Sequence, residues 1–385
     1  MVREARAEEQ QAFVDAVDVW VQKELRPVAR KFDQADEYPH EIVEQMKAMG
    51  LFGATISEQY GGLGLSAWTY AQIVVKVASV WMAPCGIFNS HLIMASAIER
   101  NGTEAQKEHY LPRMATGEYR GSIGLTEPNA GSDLQAIRTV AKRVGDGYVV
   151  NGAKTWITNS MYGDGTLLLV KTDPAARPAH KGMSLFIADK GPGFTVVGKL
   201  QKLGYRAIDT CELTFDDYHV AAASLLGGVE GRGFIQIAGG LELGRINVAA
   251  RGAGIAEGAL KLALDYAQQR TAFGKPICQH QAIQLKLADM VTRVEGAKLL
   301  IQQAATKYDL GERCDLEAAM AKLAGSEAGA FCAQEAMRIF GGYSYSLEYE
   351  IERFYRDAML MCIGEGTNEI LRQVIAKQLV ARHAA

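Results

Sequence analysis

The residues best placed by type and spacing to do chemistry are one carboxylate and three short loops. Glu365 stands between two glycines in IGEGTNEI (363–370), directly after the apolar run MLMCI. A carboxylate there is either a charge at the positive end of a helix or a functional group facing a cavity. RTAFGKPI (270–277) sets Arg270, Phe273 and Lys275 in one loop. Two cations and an aromatic suit a phosphate and an adenine, and equally a helix C-terminus carrying favourable basic charge. LTEPNAGSD (125–133) is rich in hydroxyls and amides through Thr126, Gly131 and Ser132, though by itself it is an ordinary turn. WITNS (156–160) ends a strand-like run with Trp156 and Thr158; the indole could stack on a flat heterocycle and the hydroxyl bond to it, or the Trp could be core.

Other chemistries find no support. GGLGLS stops short of a dinucleotide fingerprint, and GAGIAEG has the wrong spacing inside a helical pattern, which disfavours a nicotinamide-type Rossmann domain. There is no P-loop, HExxH or GxSxG, and the seven histidines are dispersed. The six cysteines form no CxxC pair, so neither a metal site nor a disulfide framework is expected and a reducing, cytoplasmic setting fits best. A net charge of -3 gives no reason to expect nucleic acid or an anionic membrane as partner. No apolar run approaches a membrane-spanning length, and the start MVREARAEEQQ lacks a signal-peptide core, which reads as a soluble, unprocessed protein.

The elements that must position these residues follow from periodicity. Phe13, Val17, Trp20, Val21, Leu25 and Val28 recur as on one helix face. Pro39 opens and Gly50 closes a shorter helix, and Thr103 with Gln106 makes a capping box for a helix through Met114. Residues 1–120 are expected to be an α-helical domain. TVAKRV, YVVNGAKTWIT, TLLLVKT, MSLFIAD, FTVVGKL and CELTFDD are β-branched runs with Gly and Pro punctuation, so 121–228 is expected to be an antiparallel β-domain, barrel or sandwich. Helical period returns near 234–270, 281–309, 315–340 and 366–382, giving a C-terminal four-helix bundle over 229–385. The fold class is thus α+β. Gly239, Gly240, Gly244, Gly252, Gly254 and Gly258 cost stability in one helix and point mainly to close packing by another backbone.

The order and spacing of the four motifs on an α, then β, then α layout resembles the acyl-CoA dehydrogenases over nearly the whole chain; KLGYRAIDTCELTFDD (202–217) and RIFGGYSYSLEYEIERFYRDA (338–358) look like further family segments. The resemblance implies an FAD enzyme that desaturates an acyl-CoA, with Glu365 as the base removing the α-proton and the flavin taking the β-hydride. It sets Thr126, Trp156 and Thr158 at the isoalloxazine. Arg270, Phe273, Gln281, Gly341 and Gly342 would hold the pyrophosphate and adenosine of an FAD bound mainly by a neighbouring subunit, with Thr367 and Glu369 on the adenosine side. Ser132, Arg245 and Gly366 fall on the substrate side. A homo-oligomer, usually a tetramer, and an electron-transfer flavoprotein as acceptor are also implied. An oxygen-using oxidase or an enoyl-CoA reductase on the same fold is the nearest rival.

Departures from the family pattern are Arg338 for a usual Gln, Ser344 for a usual Gly, Ile208 for a frequent Ser and Ala221 for a frequent Pro. Part of the family carries its base immediately before the active-site arginine. That residue here is Gly244, and Glu242 is expected to point away from Arg245. The acyl pocket is expected to draw on 81–91, Tyr343, Tyr345 and Met361. Cys85 stands where a glutaryl-CoA branch places a carboxylate-reading arginine, so a dicarboxylate substrate has no visible support.

Overall fold

The structure, a computed structural model, describes residues 2–383. Helix α1 (Val2–Trp20) runs through one wide turn at Val21–Leu25 into α2 (Arg26–Ala35), so the first apolar stripe is one nearly continuous rod. Helix α3 (His40–Ala48) begins after Pro39 and ends with Gly50 at φ 75°, the left-handed conformation that glycine adopts without steric cost. Helices α4 (Ala67–Ala78), α5 (Ala83–Asn101) and α6 (Glu104–Thr116) follow, and both hydrogen bonds of the Thr103–Gln106 capping box form.

Strands β1 (Gly121–Gly124), β2 (Val140–Val144), β3 (Gly147–Thr158), β4 (Gly165–Lys171), β5 (Met183–Asp189), β6 (Phe194–Lys199) and β7 (Thr210–Ala221) make one seven-stranded sheet. The pairing is mixed rather than wholly antiparallel: β1 and, at one residue pair, β2 run parallel to β4. Strands β4 and β5 are buried on both faces. Leu167, Leu169, Leu185 and Ile187 join the large helical core, while Leu168, Val170, Phe186 and Ala188 join a smaller core within the sheet. Burial on both faces explains why these strands read as continuous apolar runs rather than alternating ones.

The C-terminal region comprises α7 (Gly233–Gln269), a small hairpin of β8 (Thr271–Ala272) and β9 (Lys275–Pro276), α8 (Gln281–Asp309), α9 (Asp315–Phe340), α10 (Ile351–Ile363) and α11 (Asn368–Arg382). The four expected helices are joined by a fifth, α10, packed on α7 and α9. Close packing accounts for three of the glycines: a Cβ on Gly252, Gly254 or Gly258 would strike a backbone carbonyl of Gly325, Val75 or Ser79. The surroundings of Gly239 and Gly240 lie outside the described residues. Gly244 differs, because what its Cβ would meet is the Glu365 carboxylate.

Candidate functional site

Glu365 sits in the turn between α10 and α11, two residues before the Thr367 N-cap, at φ 55°. That backbone conformation is costly for a residue with a side chain, on the order of 1–3 kcal/mol. The turn is held from below by Lys322 of α9, whose Nζ donates to the Gly366 carbonyl at 2.7 Å and to Asn368 Oδ1 at 3.1 Å. Burial pushes the Lys322 amine down to about 8, against the pull of the Glu365 charge.

The carboxylate itself lies between α5 and α7. Its Oε1 accepts from Asn89 Nδ2 at 2.8 Å and from Arg251 Nη2 at 3.1 Å. Its Oε2 is buried with no protein partner, and a Cβ on Gly244 would lie 2.4 Å from it. The side chain is 22% exposed. Burial raises its pKa above the usual glutamate value, opposed by Arg251, Asn89, Lys322 and Arg245. The result is a carboxylate anchored through one oxygen, with the other free to accept a proton.

Arg245 lies near it on α7, with Nε buried and unpartnered; burial lowers its pKa and Glu242 is the leading charge opposing that shift. The expectation that Glu242 points away from Arg245 is therefore incorrect, because three residues apart on a helix is the same face.

A second group is organised on β3. Trp156 has φ 63°, is 58% exposed, and occupies an irregularity where the β3–β7 register shifts. An exposed indole on a strained backbone is the reverse of a core tryptophan. Thr126 is tied to the residue before Trp156, its carbonyl accepting from Thr155 N at 2.9 Å, and Thr158 Oγ1 meets Thr210 Oγ1 at 3.3 Å. Beneath them Lys154, with no side-chain exposure, donates to Leu125 O at 3.0 Å and Glu127 Oε1 at 2.8 Å. Glu127 also accepts from the amides of Arg138 and Thr139. Burial lowers the Lys154 pKa to about 8, partly offset by Glu127. Ser132, at the far end of the same loop, is exposed.

A third group is a pocket of about 510 Å3 lined by Tyr266, Arg270, Ile277, Phe340, Gly341, Gly342 and Tyr343. A Cβ at Gly341 or Gly342 would meet nothing within 4 Å. The Arg270 guanidinium lies 5.6 Å from the Tyr343 ring centroid. Phe273, at the tip of the β8–β9 hairpin, has φ 50° and is 96% exposed. Gln281 opens α8 and is exposed. Thr367 is committed as a helix cap, accepting from Ile370 N at 3.3 Å, and the Glu369 side chain faces solvent. Of the two departures near this pocket, Arg338 bonds Glu335, itself paired with Lys286, and Ser344 is buried and donates to Gly341 O.

The structure thus separates the singled-out residues into a base site, a flat aromatic site and an open pocket. Among the described residues, three of the eight non-glycine residues with positive φ are Trp156, Phe273 and Glu365, one in each. Asn89, Arg251, Lys322 and the Lys154–Glu127 pair are not evident as site residues in the sequence. Arg251 and Lys322 are each a single charge in an otherwise small or apolar stretch, Asn89 and the Lys154–Glu127 pair sit among other polar residues that do not mark them out, and the partners of all of them are far away in the chain; the one available signal was a charge such as Arg251 inside NVAARGAGIA.

Comparison with known proteins covers nearly the whole chain. Family models match residues 7–118 (acyl-CoA dehydrogenase, N-terminal domain), 122–218 (middle domain) and 231–380 (C-terminal domain). An acyl-CoA dehydrogenase of Bacillus subtilis (strain 168) is 41% identical over 94% of this chain and 95% of its own length. An acryloyl-CoA reductase (NADH) of Anaerotignum propionicum is 41% identical over 93% of this chain and 91% of its own. The butyryl-CoA dehydrogenase structure from Megasphaera elsdenii superposes with a TM-score of 0.92 at 38% identity, covering 96% of this chain and 98% of that one.

Proposed function

Since the chain belongs to the acyl-CoA dehydrogenase family, flavin-dependent oxidoreductases that use FAD and act on CH–CH donors, we propose that it desaturates an acyl-CoA thioester to the trans-2-enoyl-CoA with Glu365 as catalytic base. The observation that carries this reading is the Glu365 carboxylate, withdrawn from water, tied through Oε1 and unpartnered at Oε2. A thioester α-hydrogen is weakly acidic, so its removal needs a base of raised pKa at a fixed distance and a donor for the developing carbonyl charge. Asn89 and Arg251 fix the carboxylate, burial raises its basicity, and the Glu365 backbone N–H is the donor assigned to the carbonyl. FAD supplies the acceptor for the β-hydrogen and its electron pair.

The site fits that cofactor. Exposed Trp156 with the Thr126 and Thr158 hydroxyls suits a flavin ring. The Arg270, Gly341 and Gly342 pocket, which would admit phosphates close to backbone, suits the pyrophosphate and adenosine. Phe273 and Gln281 are too exposed to serve within one chain, which supports a cofactor shared between copies of a homotetramer. Thr367 and Glu369 are assigned to its adenosine side, and Ser132, Arg245 and Gly366 to the thioester. Fatty-acid breakdown in the cytoplasm, with an electron-transfer flavoprotein as acceptor, completes the reading; no helix among the described residues is long and apolar enough to cross a membrane.

Glu365→Gln tests it. The variant should bind FAD and acyl-CoA while flavin bleaching by substrate slows by roughly 10³-fold, within the range for loss of a general base. Near-normal bleaching would reject Glu365 as the base. Fast reoxidation of the reduced wild type by oxygen would reject the dehydrogenase in favour of an oxidase, and flavin reduction by NADH but not by saturated thioesters would favour the reductive direction.

A further inference from the structure

Arg251 helps to fix Glu365 in the chemistry just described, but for an alkyl substrate its charge also works against that chemistry. It is 4% exposed on α7, donates to Glu365 Oε1 at 3.1 Å, and leaves Nε buried without a protein partner. The groups whose charge favours its protonated form are Tyr205, Glu365, Cys85 and Tyr70. Burial holds the Cys85 thiol up at about 12 and raises both tyrosines, so the ionised one among these is Glu365. A guanidinium on the base depresses its basicity. Once the base takes a proton, the guanidinium is left buried with no counter-charge, the situation in which a buried ion is most costly.

Cys85 and Asn89 share one face of α5, four residues apart, and Asn247 and Arg251 share one face of α7 at the same spacing. Asn247 donates to the Tyr70 hydroxyl at 2.7 Å, and its Oδ1 is buried without a partner. Asn89 and Arg251 meet at Glu365. The packing between α5 and α7 beside the base is therefore polar, where an alkyl chain is best served by apolar surroundings. Resting on the desaturation reading, we propose that Arg251 reads a carboxylate carried by the acyl group, and that the substrate class is short acyl-CoA thioesters with a carboxylate near the β-carbon.

A substrate carboxylate resolves both difficulties. It pairs with the planar guanidinium fork, leaves Glu365 Oε1 held by Asn89, and leaves Arg251 compensated after proton transfer. Reach limits the acyl length. The base must approach the α-carbon to about 3 Å, and Arg251 touches the same carboxylate, so its partner lies a few bonds from the α-carbon. A four- or five-carbon diacid fits and a long ω-carboxylate does not. Position 85 on α5 lacks an arginine; the cation comes instead from α7.

The test uses FAD-loaded enzyme with succinyl-CoA and glutaryl-CoA against butyryl-CoA and hexanoyl-CoA. Binding is read from the shift in flavin absorbance, and turnover from flavin bleaching. The wild type should favour the carboxylated thioesters by on the order of 10²-fold. Arg251→Gln should erase or invert that preference, and Arg251→Lys should keep part of it. Should Arg251→Gln fail to fold, the monoamide thioesters offered to the wild type serve instead and should lose the same factor. Preference of the wild type for alkyl thioesters, or an unchanged ratio in Arg251→Gln, overturns the proposal. Carboxylate-selective binding without bleaching would uphold Arg251 and reject the desaturation reading.

Discussion

Gly244→Ala adds one methyl group at the point where α7 meets the proposed base. The added carbon would lie 2.4 Å from Glu365 Oε2 and 3.0 Å from Ile93 Cδ1. Ordinary contact begins near 3.4 Å, so the carboxylate must retreat by about 1 Å. The far end of a glutamate moves cheaply, and Gly to Ala inside a helix gains roughly 0.5–1 kcal/mol, so the variant should melt no lower than the wild type. Catalysis is less forgiving, because a 1 Å misplacement can cost about 10²-fold, and the retreat also pulls Oε1 from Asn89 and Arg251. Stopped-flow bleaching of the flavin by saturating thioester should slow by about 10²-fold, with FAD content unchanged and the melting temperature no lower than that of the wild type. A rate within about 3-fold of wild type would refute the claim that Oε2 works from the position it holds here. The converse variant, Gly244→Glu with Glu365→Gly, puts a carboxylate on the opposing backbone and should recover part of the activity lost in Glu365→Gly.

The bleaching rate should rise with pH about a midpoint above the ordinary glutamate pKa, because burial raises Glu365 and only its ionised form accepts the proton; Arg251→Gln should move that midpoint higher and Glu365→Gln should abolish the limb. The same raised pKa contributes stability that is full below the ordinary glutamate value and lost as pH rises through the folded value, measurable as urea midpoints across that window. Arg270→Ala should lower FAD occupancy, and wild-type occupancy should fall on dilution to monomers; a monomer retaining full FAD would exclude a shared site. Lys154→Met should cost about 3–5 kcal/mol in urea unfolding by stranding Glu127, with much of it restored on adding Glu127→Gln.

Helix ends were legible where the signal is local, as at Thr103 with Gln106 and at Gly50, since caps and left-handed turns depend on one or two residue types. Helix α10 was not, because IERFYRDAMLMCI buries Arg353 and Asp357 on its inner face and so breaks the apolar period. The parallel junction of β1 with β4 was hidden for a different reason: four residues carry no register information, and the partner lies more than forty residues on. At the site, Glu365, Trp156 and Arg270 were visible through motifs that are contiguous in the chain. Asn89 and Arg251 became visible only when α5 and α7 were brought against the same turn, across 276 and 114 residues of sequence. Glu242 was misplaced by reckoning from Gly244 rather than from Arg245.

The Lys154–Glu127 pair changes what kind of segment 125–139 is. By composition it is a surface loop, the sort that opens on its own with little free-energy cost. Yet its one buried carboxylate is held by a strand lysine and by two of the segment's own amides. Opening it alone would leave an ammonium ion with no exposure inside the sheet, so the segment and β3 must open as one cooperative unit. Amide exchange at Arg138 and Thr139 then belongs to the slow class of the β3–β7 ladder, and the spacing between Thr126 and Trp156 is fixed when the sheet forms, before any cofactor arrives.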